Sequence, residues 1–173
     1  LGRISIGKTI FQSFEFTHVG IRNGFDRIFP NINNEAEKNE IFQVGLITTL
    51  FFSICFFLFW SVYKFNSIIF YSFFTLSGVI YSLVMLFRVY YRSFSDKKKF
   101  VKLSAIAILL PSLSELFGFI IYGIHGYLLG FILSYLIILF FVLTKYAIPL
   151  KSKFSGLRFG HALKMVLDKG LLL

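Results

Sequence analysis

Apolar positions run almost unbroken through three stretches of this chain. Residues 41–63 and 65–87 carry no charged side chain, and residues 103–144 carry one, Glu115. At about 1.5 Å per helical residue, roughly 20 residues cross a hydrocarbon core about 30 Å thick. The first two stretches are therefore one span each, and the third is long enough for two. "YGIHGY" (122–127) breaks the third stretch with two glycines suited to a tight turn. The pattern predicts helices over 41–63, 67–91, 101–122 and 126–145.

Residues 7–29 are patterned differently. Wound as one helix, Gln12, Glu15, His18, Arg22 and Asp26 share an arc about 120° wide, into which Phe11 and Val19 intrude. Ile10, Phe14, Phe16, Ile21 and Phe25 occupy the other faces. Gly20 and Gly24 form a small-xxx-small step that admits a close helix neighbour, and Phe29-Pro30 ends the helix. This is either a fifth span lining a wet interior or an amphipathic helix lying on the membrane surface. A further apolar segment begins near Leu157. The expected fold class is all-α, a polytopic transmembrane bundle of about five spans plus a truncated sixth segment. Residues 1–145 form the bundle, and 146–173 a basic cytoplasmic linker leading into the next helix. Both ends look cut, as in a piece of a longer protein, and "LGRISIGKT" lacks the layout of a signal peptide.

Charge fixes an orientation. The loops around 27–40, 88–102 and 145–158 hold Arg27, Lys38, Arg88, Arg92, Lys97, Lys98, Lys99, Lys102, Lys145, Lys151, Lys153 and Arg158. The opposite side holds Arg3, Lys8 and Lys64. Lys and Arg are retained on the cytoplasmic side, so the first set is cytoplasmic, and 7–29 must then cross as well. In this setting a net charge of +10 means basic loops and anionic lipid, and no nucleic-acid-reading motif accompanies it. With 57% hydrophobic and 15% charged residues, the composition suits a bilayer better than water. Cys55 is the only cysteine, which excludes an intrachain disulfide.

The candidate chemistry follows from cost. Each charge at membrane depth costs roughly 2.5–3.5 kcal/mol on insertion scales, so the stripe Gln12, Glu15, His18, Arg22 and Asp26 must face a cavity or a partner. Arg27, Arg88 and Arg92 are expected to anchor the cytoplasmic ends. Glu115, in a helix loosened by Pro111, is either a proton- or cation-responsive acid or a structural partner for Arg22, His18 or Ser112. His125 is expected to be a packing residue. No catalytic triad, phosphate loop or metal-ligand spacing is present, so neither an enzyme nor a cofactor or metal is expected.

The first 46 residues, "LGRISIGKTIFQSFEFTHVGIRNGFDRIFPNINNEAEKNEIFQVGL", resemble the early part of bacterial polysaccharide (O-antigen type) flippases. These belong to the multidrug/oligosaccharidyl-lipid/polysaccharide exporter superfamily. Leu1-Gly2, Gly7, Gly20, Asn23-Gly24, Arg27, Pro30 and "NNEAEKNEI" occupy the positions that carry the likeness, with Ile6 where an aromatic is usual. "SFSDKKKFVKLSAIAILLPSLSELFGFIIYGIHGYLLGFILSYLI" is similar to a later stretch, with His125 in place of an aromatic or small residue. "SGLRFGHALKMVLDKGLLL" resembles the linker into the seventh helix, although His161-Ala162 lacks the family's proline.

The resemblance implies helices two to six, and the start of seven, of a twelve-helix transporter with two lobes around a cationic cavity. It implies a location in the bacterial inner membrane and outward flipping of a polyprenyl-diphosphate-linked oligosaccharide. Expected partners are that lipid-linked oligosaccharide, membrane lipids and polysaccharide assembly proteins. In this setting Arg22 would meet diphosphate oxygens, Asp26 would hold it when the cavity is empty, and Gln12, Glu15 and His18 would complete the substrate track. Two other readings stand beside it. One is a small standalone membrane subunit with an assembly role and no transport. The other is a membrane glycosyltransferase or polymerase fragment, which would need a large extracytoplasmic loop.

Overall fold

The structure is a computed structural model that describes residues 2–18, 20–63, 68–93, 96–146 and 159–171. All elements among them are helical: α1 (Gly2–Ser13), a 3₁₀ segment (Phe14–His18), α2 (Ile21–Ile28), a 3₁₀ turn (Phe29–Asn31), α3 (Glu35–Tyr63), α4 (Ile68–Ser93), α5 (Lys97–Lys145) and α6 (Phe159–Leu171). Three of these helices, α3, α4 and α5, are long and apolar enough to cross a membrane, the signature of a membrane protein.

The helix starts are set by local chemistry. Asn34 Oδ1 accepts from the Ala36 amide at 2.9 Å, and Glu35 and Glu37 sit in the first turn of α3 against the positive end of its dipole. Asp96 caps α5, accepting from the Lys99 amide at 3.1 Å and pairing with the Lys99 ammonium at 2.9 Å. The Lys99 side chain first, and its amide second, hold the Asp96 carboxyl below its ordinary range.

The expected single helix over 7–29 is not what forms. Gly20 adopts φ 77°, a left-handed conformation that glycine accepts without a Cβ clash, and the preceding turn is 3₁₀. Thr17 reinforces the tightening by donating its hydroxyl to the Phe14 carbonyl at 2.7 Å. The N-terminal segment is thus two helices joined by a break, although it keeps one course across the bundle.

Contacts give the direction of each element. Ser13 meets Trp60 and Thr17 meets Ser53, so the N-terminal segment runs antiparallel to α3. Ser53 meets Ser82, and Phe42 packs on Phe87 and Tyr90, so α3 runs antiparallel to α4. The chain then turns at Tyr122 and Gly123 inside α5, where Gly123 takes φ 59°. A Cβ on Gly126 would lie 2.0 Å from the Gly118 carbonyl oxygen, and one on Gly130 2.2 Å from that of Ser114. These pairs step by four along each arm in opposite senses, which defines a helical hairpin with touching backbones. The backbone through Pro111 stays helical, so the bend falls at the glycine and not at the proline. The returning arm lies parallel to α4, with Phe131 on Phe74 and Tyr135 on Tyr81. α6 packs antiparallel on α2 through equally close approaches at Gly24 and Gly170.

Phenyl rings fill the interior. Phe14, Phe25, Phe29, Phe42, Phe74 and Phe87 are each under 2% exposed or at that limit. Apolar side chains also cover the outside: Phe51, Ile54, Leu58, Phe59 and Val62 on α3, and Leu116, Phe117, Ile120 and Ile121 on α5. Such a surface suits lipid, where association rests on van der Waals fit rather than on apolar burial.

Candidate functional site

Lys8, Glu15 and Asp26 of the N-terminal segment pair with α4 and α5, and two bonds fix the alignment. Tyr81 donates its hydroxyl to Glu15 Oε1 at 2.9 Å, and the partners are 66 residues apart. Arg92 pairs with Asp26, also 66 residues apart. An equal offset means the two elements run parallel in one register. Gly7 against Phe74 extends the alignment to the other end. By that register Arg22 stands level with Arg88.

The track starts at the basic end of the bundle. Asp26 is held by Arg92, with both side chains partly exposed, and not by Arg22 as the family resemblance implied. Two parallel elements bring Asp26 beside α4, whereas Arg22 lies a turn away on its own helix. Arg88 is half-buried and donates Nε to Ser104 Oγ at 3.1 Å and Nη1 towards Met85 Sδ at 2.9 Å. Arg22 and Arg92 both lie close enough to act on its charge. Arg22 is half-buried and, among the described residues, has no hydrogen-bond or ion-pair partner. His18 sits within its field, only 5% exposed, with neither ring nitrogen bonded among the described residues.

Midway lie Glu15, Tyr81 and Tyr135, with Phe11 packed on both tyrosine rings. Gln12 is exposed one helical turn from Lys8. At the far end Lys8 Nζ lies 3.3 Å from Glu115 Oε2 and 5.6 Å from the centre of the Tyr127 ring. Glu115 therefore pairs with Lys8, and not with Arg22, His18 or Ser112, whose hydroxyl donates to the Ile108 carbonyl. Behind the track, Thr17, Ser53 and Ser82 form a buried chain of hydroxyls that ties the 3₁₀ segment to α3 and α4. Arg27 points away from the track and donates Nη1 to the Lys169 carbonyl at 2.9 Å, near the C-terminal end of α6.

Of the predicted stripe, Glu15 and Asp26 thus both meet α4 despite the break. Sequence reasoning treated Arg88 and Arg92 as anchors and passed over Tyr81, Ser104 and Lys8. A signal was available: Glu15, Arg22 and Asp26 repeat the spacing of Tyr81, Arg88 and Arg92. The arrangement can receive an anion. Two guanidiniums stand level, and among the described residues no acid pairs with Arg22 or Arg88, in surroundings that strengthen every charge interaction. Among the described residues no group of three or more His, Cys, Asp or Glu side chains can hold a metal ion.

The fold and this track define a helical bundle, three of whose helices are long and apolar enough to cross a membrane, with a polar seam of paired and unpaired charges. No family model matches the chain, and neither a curated protein nor a solved structure matches it.

Proposed function

We propose that this bundle is part of the N-terminal lobe of a polysaccharide flippase in the bacterial inner membrane, moving a polyprenyl-diphosphate-linked oligosaccharide outward. The observation that carries the reading is Arg22, half-buried, without a partner among the described residues, and level with Arg88. A guanidinium fork can bind two phosphate oxygens at once, and charge-assisted bonds of this kind are among the strongest available to a side chain. A diphosphate would relieve the repulsion between the two arginines and engage the buried His18.

The same alignment supports five crossings. If α4 spans the bilayer, a segment parallel to it over most of its length spans too, and each arm of the α5 hairpin adds one. The basic residues of 27–38 and 88–102 then share the cytoplasmic end. The polar seam is open along Gln12 and Glu15, as expected for a wall completed by a second lobe around a wet cavity. The glycan head and diphosphate would follow the seam while the polyprenyl tail stays in lipid.

The test is complementation of a flippase-deleted strain with the full reading frame, scored for surface polymer beside membrane protein level. Arg22→Ala is expected to abolish export at normal abundance. Normal export at normal abundance would refute the reading.

A further inference from the structure

The cation nearest the far end of the seam is already engaged. Lys8 Nζ sits 3.3 Å from Glu115 Oε2, with the lysine side chain 50% exposed and the carboxylate side chain 17% exposed. Lys8 lies on the arc of Glu15, Arg22 and Asp26 and precedes Arg22 by roughly 20 Å of helix. Arg92 at the basic end is engaged in the same way, by Asp26. The seam therefore has a cation held by an internal carboxylate at each end, and Arg22 between them without one.

The Lys8–Glu115 contact is exchangeable. A pair this exposed on its lysine side holds only weakly, while a phosphate offers more charge and more acceptor oxygens. The carboxylate also has somewhere to go. The Tyr127 hydroxyl is buried beside both Lys8 and Glu115 and interacts with each, short of a full hydrogen bond. Released from Lys8, Glu115 can accept from that hydroxyl and avoid standing as a bare buried charge.

We propose that Lys8 is a second diphosphate station, masked by Glu115 in the empty protein and uncovered when the ligand displaces that carboxylate. This rests on Arg22 and Arg88 forming the first station. A headgroup leaving the arginines would then exchange one ion pair for another instead of crossing the outer half of the seam unpaired.

Calorimetric titration of the detergent-solubilised chain with inorganic pyrophosphate tests it. At low pyrophosphate the wild-type chain is expected to bind one equivalent, and a second only at several-fold higher concentration, where the ligand displaces Glu115; Glu115→Gln is expected to bind two at low concentration, and Lys8→Gln/Glu115→Gln one. Glu115→Gln is read as a gain of binding, so a misfolded variant cannot imitate success, and the double variant shows whether the gain needs Lys8. A Glu115→Gln chain that still binds one equivalent, or a second equivalent that survives the double substitution, overturns the proposal. Adding phosphatidylglycerol to the micelle separates the sources of phosphate: loss of the second event to lipid overturns its assignment to diphosphate, and persistence supports it. Arg22→Ala keeps the two readings apart. If Arg22→Ala leaves the wild-type event intact while Glu115→Gln adds one through Lys8, the first station falls and the second stands.

Discussion

Arg22 stands level with Arg88, each seven residues beyond one partner of the Glu15–Tyr81 hydrogen bond and four before one partner of the Asp26–Arg92 pair. Two cations in register are a liability in an apolar bundle. Arg88 is partly compensated by Ser104 and Met85. Arg22 has no such compensation among the described residues, which leaves it ready for a ligand that arrives and departs.

Substitution at Arg22 should therefore weaken pyrophosphate binding by about tenfold to a hundredfold, since hydrogen bonds to charged groups contribute about 1.5–3 kcal/mol. Arg22→Lys should recover part of this, because a point charge replaces a planar fork. Arg27→Ala should leave binding unchanged and lower the yield of folded protein, since Arg27 bonds the end of α6. Titration beside a thermal melt separates the two effects. Equal losses of binding at both positions would show a response to net charge alone.

The parallel register of the N-terminal segment and α4 predicts a labelling pattern. Cysteine at Arg3 should react with an impermeant reagent from outside the cell, and cysteine at Asn31 only after the membrane is opened. An amphipathic segment lying on the surface would place both positions on one side.

What the sequence disclosed tracks what each physical signal can encode. Uncharged length located α3, α4 and both arms of α5, because desolvation penalises any charge there. It misplaced the starts of α3 and α5, since the Asn34 and Asp96 caps extend them into polar residues that hydropathy leaves out. The arc of polar residues in 7–29 was visible, but the break at Gly20 was not: glycine permits a left-handed residue without requiring one, and packing of α6 against Gly20 and Gly24 decides. Pairing was the least legible feature. Asp26 with Arg92 and Glu115 with Lys8 depend on interhelix register, which a single helical wheel does not contain.

The break makes Gly20 sensitive to shape and not only to size. Any Cβ at φ 77° is disfavoured by about 1–2 kcal/mol, least for Asn, which tolerates the left-handed region. Gly20→Asn should therefore melt closer to the wild type than Gly20→Val does. If the two melt alike, the left-handed turn is not what the position requires.

The hairpin of α5 offers the sharpest test of close backbone approach. A Cβ on Gly126 meets the Gly118 carbonyl oxygen at 2.0 Å, and backbone cannot swing aside as the end of a side chain can. Gly126→Ala should therefore part the two arms and destabilise the protein by about 1–3 kcal/mol, the range for overpacking. The effect should also reach the seam, because Glu115 and Tyr127 sit on opposite arms and Lys8 touches both. Gly2→Ala is the matched control, since a Cβ there meets nothing within 4 Å. Thermal melts of the two variants should differ clearly, with Gly126→Ala lower. If Gly126→Ala melts with Gly2→Ala, the arms are not in backbone contact, and the hairpin cannot be what holds Glu115 against Lys8.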